Sequence, residues 1–137
     1  MTPADWPAAH RVRMAVQQNR LSDPGRITAE EYRRHIEDIG RGWLIEAEGD
    51  LRAFAIAHRE PDGRGSIWAL FVEPGFEGRG YARGLMAQAM TWLREQGLKD
   101  LWLCTEPGTR AEAFYLAQGW QAGPLKDWGD REFTLRL

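Results

Sequence analysis

The chain has 137 residues, of which 43% are hydrophobic and 28% are charged. This length and composition predict a single domain over residues 1–137 that buries its core without disulfides or metals. Lys and Arg total 18 against 20 for Asp and Glu, and this net charge of -2 excludes a broad basic surface for nucleic acid.

Two further classes of protein are excluded by simple patterns. No apolar run approaches the length of about 20 residues that crosses a bilayer, and the N-terminus lacks a signal-peptide pattern, so a cytoplasmic protein without a membrane partner is expected. Three histidines, His10, His35 and His58, are scattered without the spacing of metal ligands, so no metal is expected. The lone Cys104 lies in an apolar strand pattern and is interpreted as a core thiol.

Helix-start signals occur twice before the first predicted strand. Thr2 and Asp5 form a capping box, with Pro3 at the first helical position. A second capping box, Thr28 and Glu31, predicts a helix that runs to about residue 39. The helices are joined by a polar loop at residues 21–25.

A three-stranded antiparallel meander is predicted next. Residues 43–48 and 51–58 alternate as strands around a Gly49-Asp50 turn, and a Pro-Asp-Gly turn at 61–63 leads to a third strand at 66–72.

The strand at 66–72 is followed by a glycine-rich turn and an amphipathic helix. Gly78, Gly80 and Gly84 alternate with Arg79 and Arg83 at the start of a helix that stops near residue 97. Bare backbone N–H groups and the positive end of the helix would converge there, which favours a bound phosphate.

Several interpretations of this turn compete. Glycines also serve tight turns and close packing without any ligand. A P-loop would need a Gly-Lys-Ser/Thr ending, which is absent. A Rossmann fingerprint fits loosely, with Glu106 as a ribose acceptor, but that motif belongs on an early strand and here follows about half of the chain. The remaining interpretation is a turn for acetyl-CoA.

The remainder of the chain predicts a parallel strand, a helix and a hairpin. Residues 101–105 suit a buried strand parallel to 66–72 through a right-handed crossover. Thr109 caps a helix that ends near Gly119, and residues 120–122 and 132–137 form the last hairpin.

At two motifs, in the right order and separation, the sequence resembles the GNAT acetyltransferase superfamily. The turn at residues 77–82 follows the pattern Gln/Arg-x-x-Gly-x-Gly/Ala, although Glu77 occupies its first position. The second motif is carried by Ala111, the Phe114-Tyr115 pair and Gly119-Trp120, although Gly108 replaces a frequent Asn. The resemblance covers residues 43–137, and the two preceding helices more loosely.

The resemblance implies an α/β fold with a mixed, mostly antiparallel central sheet, about four flanking helices and a splayed pair of parallel strands. The strand with which the family usually begins is missing, so the sheet edge is left open or covered by a partner subunit. In the family the helix pair borders the acceptor site. The loop around Asp23 is therefore a candidate specificity element, with a plain solvent loop as the alternative.

For the site, the resemblance implies that the pantetheine arm pairs with backbone near Val72, beside which the thioester lies. The residues expected to bind acetyl-CoA are Phe71, Val72, Gly78, Arg79, Gly80, Tyr81, Ala82 and Arg83. Tyr115 matches the family's general acid, while Glu73 is the first candidate for the base and Glu106 the second, with a bound water as a third possibility.

The function implied is acetyl transfer from acetyl-CoA to an amine of a small molecule or peptide, directly within a ternary complex. The alternatives are a CoA-binding module with little catalysis and a Rossmann-like nucleotide-binding domain. A homodimer formed through exposed strand edges is consistent with the missing strand. The identity of the acceptor is not predicted.

Overall fold

A computed structural model describes residues 1–16 and 27–137 of the chain. The loop around Asp23, which the sequence offers as a specificity element, lies outside the described residues. Four helices are described: α1 (Trp6–Ala15), α2 (Ala29–Arg33), α3 (Tyr81–Glu95) and α4 (Arg110–Ala117). None of the helices in the described ranges is long and apolar enough to cross a membrane.

The predicted capping box of Thr2 and Asp5 is present, and Thr28 caps the second helix as predicted. The backbone N–H of Thr2 donates to Asp5 Oδ2 at 2.8 Å, and a short 3₁₀ turn (Pro3–Asp5) leads into α1. The backbone N–H of Glu31 donates to Thr28 Oγ1 at 3.2 Å. After α2 the chain continues as a π-helical turn (Arg34–Asp38), so the predicted length is right but its last turn is widened.

The six strands form one open sheet in the order β1-β2-β3-β4-β6-β5. Their bounds are β1 (Gly40–Ala47), β2 (Asp50–Arg59), β3 (Gly65–Val72), β4 (Asp100–Thr105), β5 (Gln121–Leu125) and β6 (Arg131–Arg136). Every neighbouring pair is antiparallel except β3 and β4. The predicted mixed sheet with one parallel pair is therefore confirmed, and the described residues before α1 contribute no strand.

The predicted turn between β1 and β2 is wrong by one residue. Ala47 pairs with Asp50, so the two turn residues are Glu48 and Gly49, both at positive φ. Such a mirror-image turn matches the twist of the flanking strands, and Gly49 adopts it without steric cost.

Helices cover both faces of the sheet. On one face α1 and α2 pack over a cluster that includes Tyr32, Phe54 and Ile56, all fully buried. On the other, α3 packs through Met86, Ala89 and Leu93 against the sheet. β2 is consequently buried on both faces along most of its length, which explains its continuous apolar sequence.

β3 and β4 pair over only two positions. Gly65 lies opposite Leu101 and Ser66 opposite Trp102, after which the strands separate. Along the same stretch β3 carries a bulge, because Ile67 pairs with Ala57 and Ala69 with Ile56, so Trp68 between them is left without a partner. The backbone of β3 beyond Ser66 therefore has an edge that β4 does not cover.

Candidate active site

The separation of β3 and β4 opens a cavity of about 710 Å³. It is bounded by β3, the turn that follows it, the start of α3, β4 and the start of α4. Most of its wall is apolar, with polar backbone at the turn, and this combination is typical of a cofactor site. The cavity lies where both predicted motifs meet.

At one end of the cavity lies the N-terminus of α3, which no side chain caps. Its N-cap is Gly80, at φ 80° and ψ 10°, so the backbone N–H groups of Tyr81, Ala82 and Arg83 are left without partners inside the helix. Gly78 also has a positive φ, and a Cβ atom at either glycine would meet no heavy atom within 4 Å. These glycines are therefore required by the turn conformation rather than by packing, and the turn presents bare N–H groups beside the positive end of the helix.

Tyr115 of α4 lines the opposite wall of the cavity and is only 7% exposed. Its ring packs against Trp120 at 5.8 Å and Phe133 at 6.4 Å between ring centroids. Burial raises the pKa of the phenol above its ordinary value, so the hydroxyl remains protonated at neutral pH.

Most of the predicted cofactor-binding residues line this cavity. They are Phe71, Val72, Gly78, Gly80, Tyr81, Ala82 and Arg83. Arg79 does not line the cavity. Its guanidinium lies 4.6 Å from the ring centroid of Phe76. The sequence could not separate Arg79 from Arg83, since each precedes a glycine of the same segment.

Glu73, the first predicted base, does not line the cavity, and both of its carboxylate oxygens are engaged. Oε1 contacts Arg11 of α1, and Oε2 accepts a hydrogen bond from Arg52 Nη1 of β2 at 2.6 Å. The hydrogen bond from Arg11 is the main cause that lowers the pKa of Glu73, with Arg52 adding to it. A carboxylate held in this way is a poor proton acceptor.

Of the other two acidic residues of the motifs, Glu106 lies outside the cavity and Glu77 lines it at the turn before α3. Glu106 is exposed and absent from the cavity wall, and its backbone carbonyl accepts a hydrogen bond from Thr109 Oγ1 at 2.7 Å. Glu77 accepts a hydrogen bond from the N–H of Gly75 at 2.5 Å and pairs with Arg110 at 3.1 Å. Glu77 thereby links the turn before α3 to the start of α4.

A second cavity, of about 570 Å³, adjoins the first on the face of the sheet that carries α1 and α2. Ile67, Trp68 and Cys104 line both cavities, so the two meet beside the bulge of β3. The two cavities are therefore neighbours at the point where β3 and β4 separate.

Two buried histidines line the second cavity, although the sequence shows them only as scattered residues. Their ring centroids are 5.0 Å apart, and His35 stacks on Trp68 at 4.0 Å. Desolvation lowers the pKa of His35 to about 4 and also lowers that of His58. Both rings are therefore neutral at neutral pH. His35 lies in the π-helical turn after α2, and His58 lies in β2. No local sequence pattern shows that these two elements pack together.

Cys104 is half-buried at the junction of the two cavities rather than in the core, which corrects the sequence interpretation. Desolvation is the main cause that raises the pKa of its thiol, so it is protonated at neutral pH. Within residues 1–16 and 27–137, no group of three or more His, Cys, Asp or Glu side chains is arranged to hold a metal ion.

The sequence matches the model of the acetyltransferase (GNAT) family over residues 6–120. The chain belongs to the GNAT family. The match includes both motifs around the first cavity, and the splayed strands are those of the family fold. No curated protein matches this GNAT chain by sequence.

Solved structures share the fold of this GNAT domain along its whole length. A GNAT-family acetyltransferase from Staphylococcus aureus Mu50 has a TM-score of 0.85 at 14% identity, with 100% of this chain and 96% of that chain covered. The PaiA N-acetyltransferase of Thermoplasma acidophilum, in complex with coenzyme A, has a TM-score of 0.82 at 12% identity, with coverage of 100% and 96%. The ribosomal-protein-S18-alanine N-acetyltransferase of Escherichia coli has a TM-score of 0.74 at 19% identity, with coverage of 100% and 89%.

Proposed function

We propose that this GNAT domain transfers the acetyl group of acetyl-CoA directly to an amine, with both substrates bound at once. The observation that carries the proposal is that the two cavities share a wall, which Ile67, Trp68 and Cys104 form. One runs from an uncapped helix N-terminus along the uncovered edge of β3, and the other reaches the same point from the opposite face of the sheet.

The first cavity suits coenzyme A at each end. The free N–H groups at the start of α3 offer a cradle for the pyrophosphate, and Arg83 adds a positive charge beside them. The edge of β3 near Phe71 and Val72 can pair with the amides of the pantetheine arm, which would satisfy backbone groups that β4 leaves uncovered. The Thermoplasma acidophilum protein of the same fold was solved in complex with coenzyme A, which supports the choice of this ligand.

In the proposed reaction a neutral amine attacks the thioester carbonyl carbon. A backbone N–H at Phe71 or Val72 polarises the carbonyl oxygen. As the C–N bond forms and the C–S bond breaks, the departing thiolate takes the phenolic proton of Tyr115, and the amine nitrogen gives up its proton through water to restore the phenol. Tyr115 is the candidate for this step because it lines the cavity opposite the start of α3 and holds its proton at neutral pH.

Water is the proposed acceptor for the proton that the incoming ammonium must lose. Glu73 is held by two arginines, and Glu106 lies outside the cavity wall. We therefore assign Glu73 to a structural role, in which it ties α1 and β2 to the end of β3.

Replacing Glu73 by Gln tests this assignment. A carboxylate whose pKa is lower in the folded protein than in the unfolded protein stabilises the fold at pH values above its ordinary pKa. This stabilisation is lost as the pH falls through the pKa of the folded protein. We expect wild type to lose more melting temperature than Glu73→Gln between neutral pH and about pH 3. Melting curves across this range give the difference.

Glu106→Gln is the matched control, because Glu106 follows β4 as Glu73 follows β3. Glu106 is exposed, so its replacement should leave the melting temperature at neutral pH unchanged, and both variants should keep kcat within several-fold of wild type. A loss of kcat of about 100-fold in Glu73→Gln alone, with normal melting, would restore Glu73 as the base.

The reaction itself is tested by incubating the protein with acetyl-CoA and a panel of amines. Release of the free CoA thiol that depends on the amine, together with an N-acetylated product detected by mass spectrometry, is the expected result. Acetyl-CoA binding without transfer to any amine would instead indicate a CoA-binding module.

A further inference from the structure

The second cavity contains an exposed tryptophan whose position is fixed. Trp128, in the loop between β5 and β6, is 68% exposed and lines this cavity. Its indole N–H donates to Asp130 Oδ2 at 3.0 Å. The loop is closed by backbone hydrogen bonds from the N–H of Lys126 to the carbonyl of Asp130, at 2.6 Å, and from the N–H of Gly129 to that of Lys126, at 3.0 Å.

Single exposed aromatic rings are common on protein surfaces, but Trp128 differs from them because it lines a cavity. The loop holds Trp128 in place before any ligand arrives, so covering the ring would require little further ordering. Trp102 of β4 lines the same cavity, and its own ring is half-buried. The cavity thus has indole surface on its β4 wall and on its loop wall.

The charged side chains of this cavity contribute little to the choice of acceptor. Glu60 and Asp130 line it, but so do Arg34 and Arg59, which cancels the formal charges. Glu60 accepts a hydrogen bond from His58 Nε2 at 2.9 Å, and Asp130 is engaged by Trp128, so both carboxylates already have partners. A polycation or a dicarboxylate would gain little here, and the aromatic walls remain as the selecting feature.

The other end of the cavity is where an amine would meet the acetyl group. Trp68 and Cys104 line both cavities, and His35 stacks on Trp68. His35 Nδ1 lies 2.7 Å from the carbonyl oxygen of Glu31, and because a carbonyl can only accept, Nδ1 carries the proton. His35 Nε2 is consequently a lone-pair acceptor, suited to a neutral amine N–H.

We propose that the acceptor is a primary amine that carries an aromatic ring, with the ring against Trp128 and Trp102 and the amine beside Trp68 and His35. This inference rests on the proposed acetyl transfer and names the substrate class of the same site. Trp128 then determines which amine is accepted, without taking part in the chemistry.

The test compares phenethylamine with hexylamine, two primary amines of similar size and basicity that differ in the ring. We expect kcat/KM to be at least about tenfold higher for phenethylamine, because one buried aromatic contact is worth about one power of ten. Trp128→Ala should remove this advantage, mainly through a higher KM for phenethylamine, so that kcat/KM for phenethylamine falls to about that for hexylamine. Trp128 is exposed, so the variant should melt as wild type does.

Leu125→Ala is the matched control, since Leu125 is 57% exposed in the same hairpin but lines neither cavity. It should keep the full preference. Any of three results would overturn the inference and leave acetyl transfer standing. They are equal kcat/KM for the two amines, an equal loss with both amines in Trp128→Ala, and a higher kcat/KM for spermidine than for phenethylamine.

Binding is followed independently of turnover by saturation-transfer NMR on the CoA-saturated protein. Phenethylamine should receive saturation in wild type and lose it in Trp128→Ala. No transfer to phenethylamine would also overturn the inference. Failure of the proposed function is a separate result, namely that neither acetyl-CoA nor CoA binds, or that no amine of the panel is acetylated.

Discussion

Tyr115→Phe is expected to bind acetyl-CoA as wild type does and to lower kcat by roughly 100-fold or more, the usual range for a general acid. The substitution removes one oxygen atom and keeps the ring, which packs on Trp120 and Phe133. The departing thiolate would then take its proton from water. Steady-state rates with a good acceptor amine, together with calorimetric titration of acetyl-CoA, measure the two effects separately.

Tyr32→Phe serves as the control for loss of a buried phenol. Tyr32 is fully buried, its hydroxyl lies 3.2 Å from His10 Nδ1, and it lines neither cavity. This variant should lose some stability and keep its kcat. If Tyr115→Phe retains wild-type kcat, or if both variants lose activity equally, Tyr115 is a packing residue and the proton comes from elsewhere.

Gly80→Ala should weaken acetyl-CoA binding by about tenfold or more, because the N-cap of α3 must hold a positive φ of 80°. An alanine in this left-handed conformation costs about 1–2 kcal/mol, and relaxing the strain turns the free N–H groups away from the pyrophosphate. Titration calorimetry with acetyl-CoA and thermal melting without ligand together separate affinity from stability.

Gly97→Ala isolates the binding effect from the backbone strain. Gly97 follows the other end of the same helix at a φ of 78°, and a Cβ there would also meet no heavy atom within 4 Å. Both variants should lose similar stability, but only Gly80→Ala should lose affinity. Equal affinities in the two variants would show that the turn does not bind the cofactor.

Local patterns were sufficient for most of the fold. Caps at Thr2, Thr28 and Thr109 begin helices as predicted, because a side-chain oxygen that satisfies a free N–H acts within three residues. The stop at Gly97 is likewise local, with the N–H of Leu98 bonded to the carbonyl of Leu93. The predicted position of the β1–β2 turn was wrong because Glu48 adopts a positive φ, a conformation that a glutamate in the sequence does not indicate.

The turn proposed to hold the cofactor could also be predicted, since a single local segment contains its uncapped backbone N–H groups. The acceptor end could not. His35, Trp68 and Trp128 come from a helix, a strand and a distant hairpin, and only the tertiary fold places them around one cavity. The ion pairs of Glu73 could not be predicted for the same reason, because Arg11 and Arg52 lie on other elements of the fold.

The central claim is that the first cavity binds the CoA moiety, and thermal melting with acetyl-CoA, CoA, NAD and ATP tests it most directly. A ligand that binds only the folded protein raises the melting temperature by mass action. We predict increases with acetyl-CoA and CoA and none with NAD or ATP. No shift with either CoA species, or a larger one with NAD, would contradict the account and leave Gly78 and Gly80 with a purely conformational role.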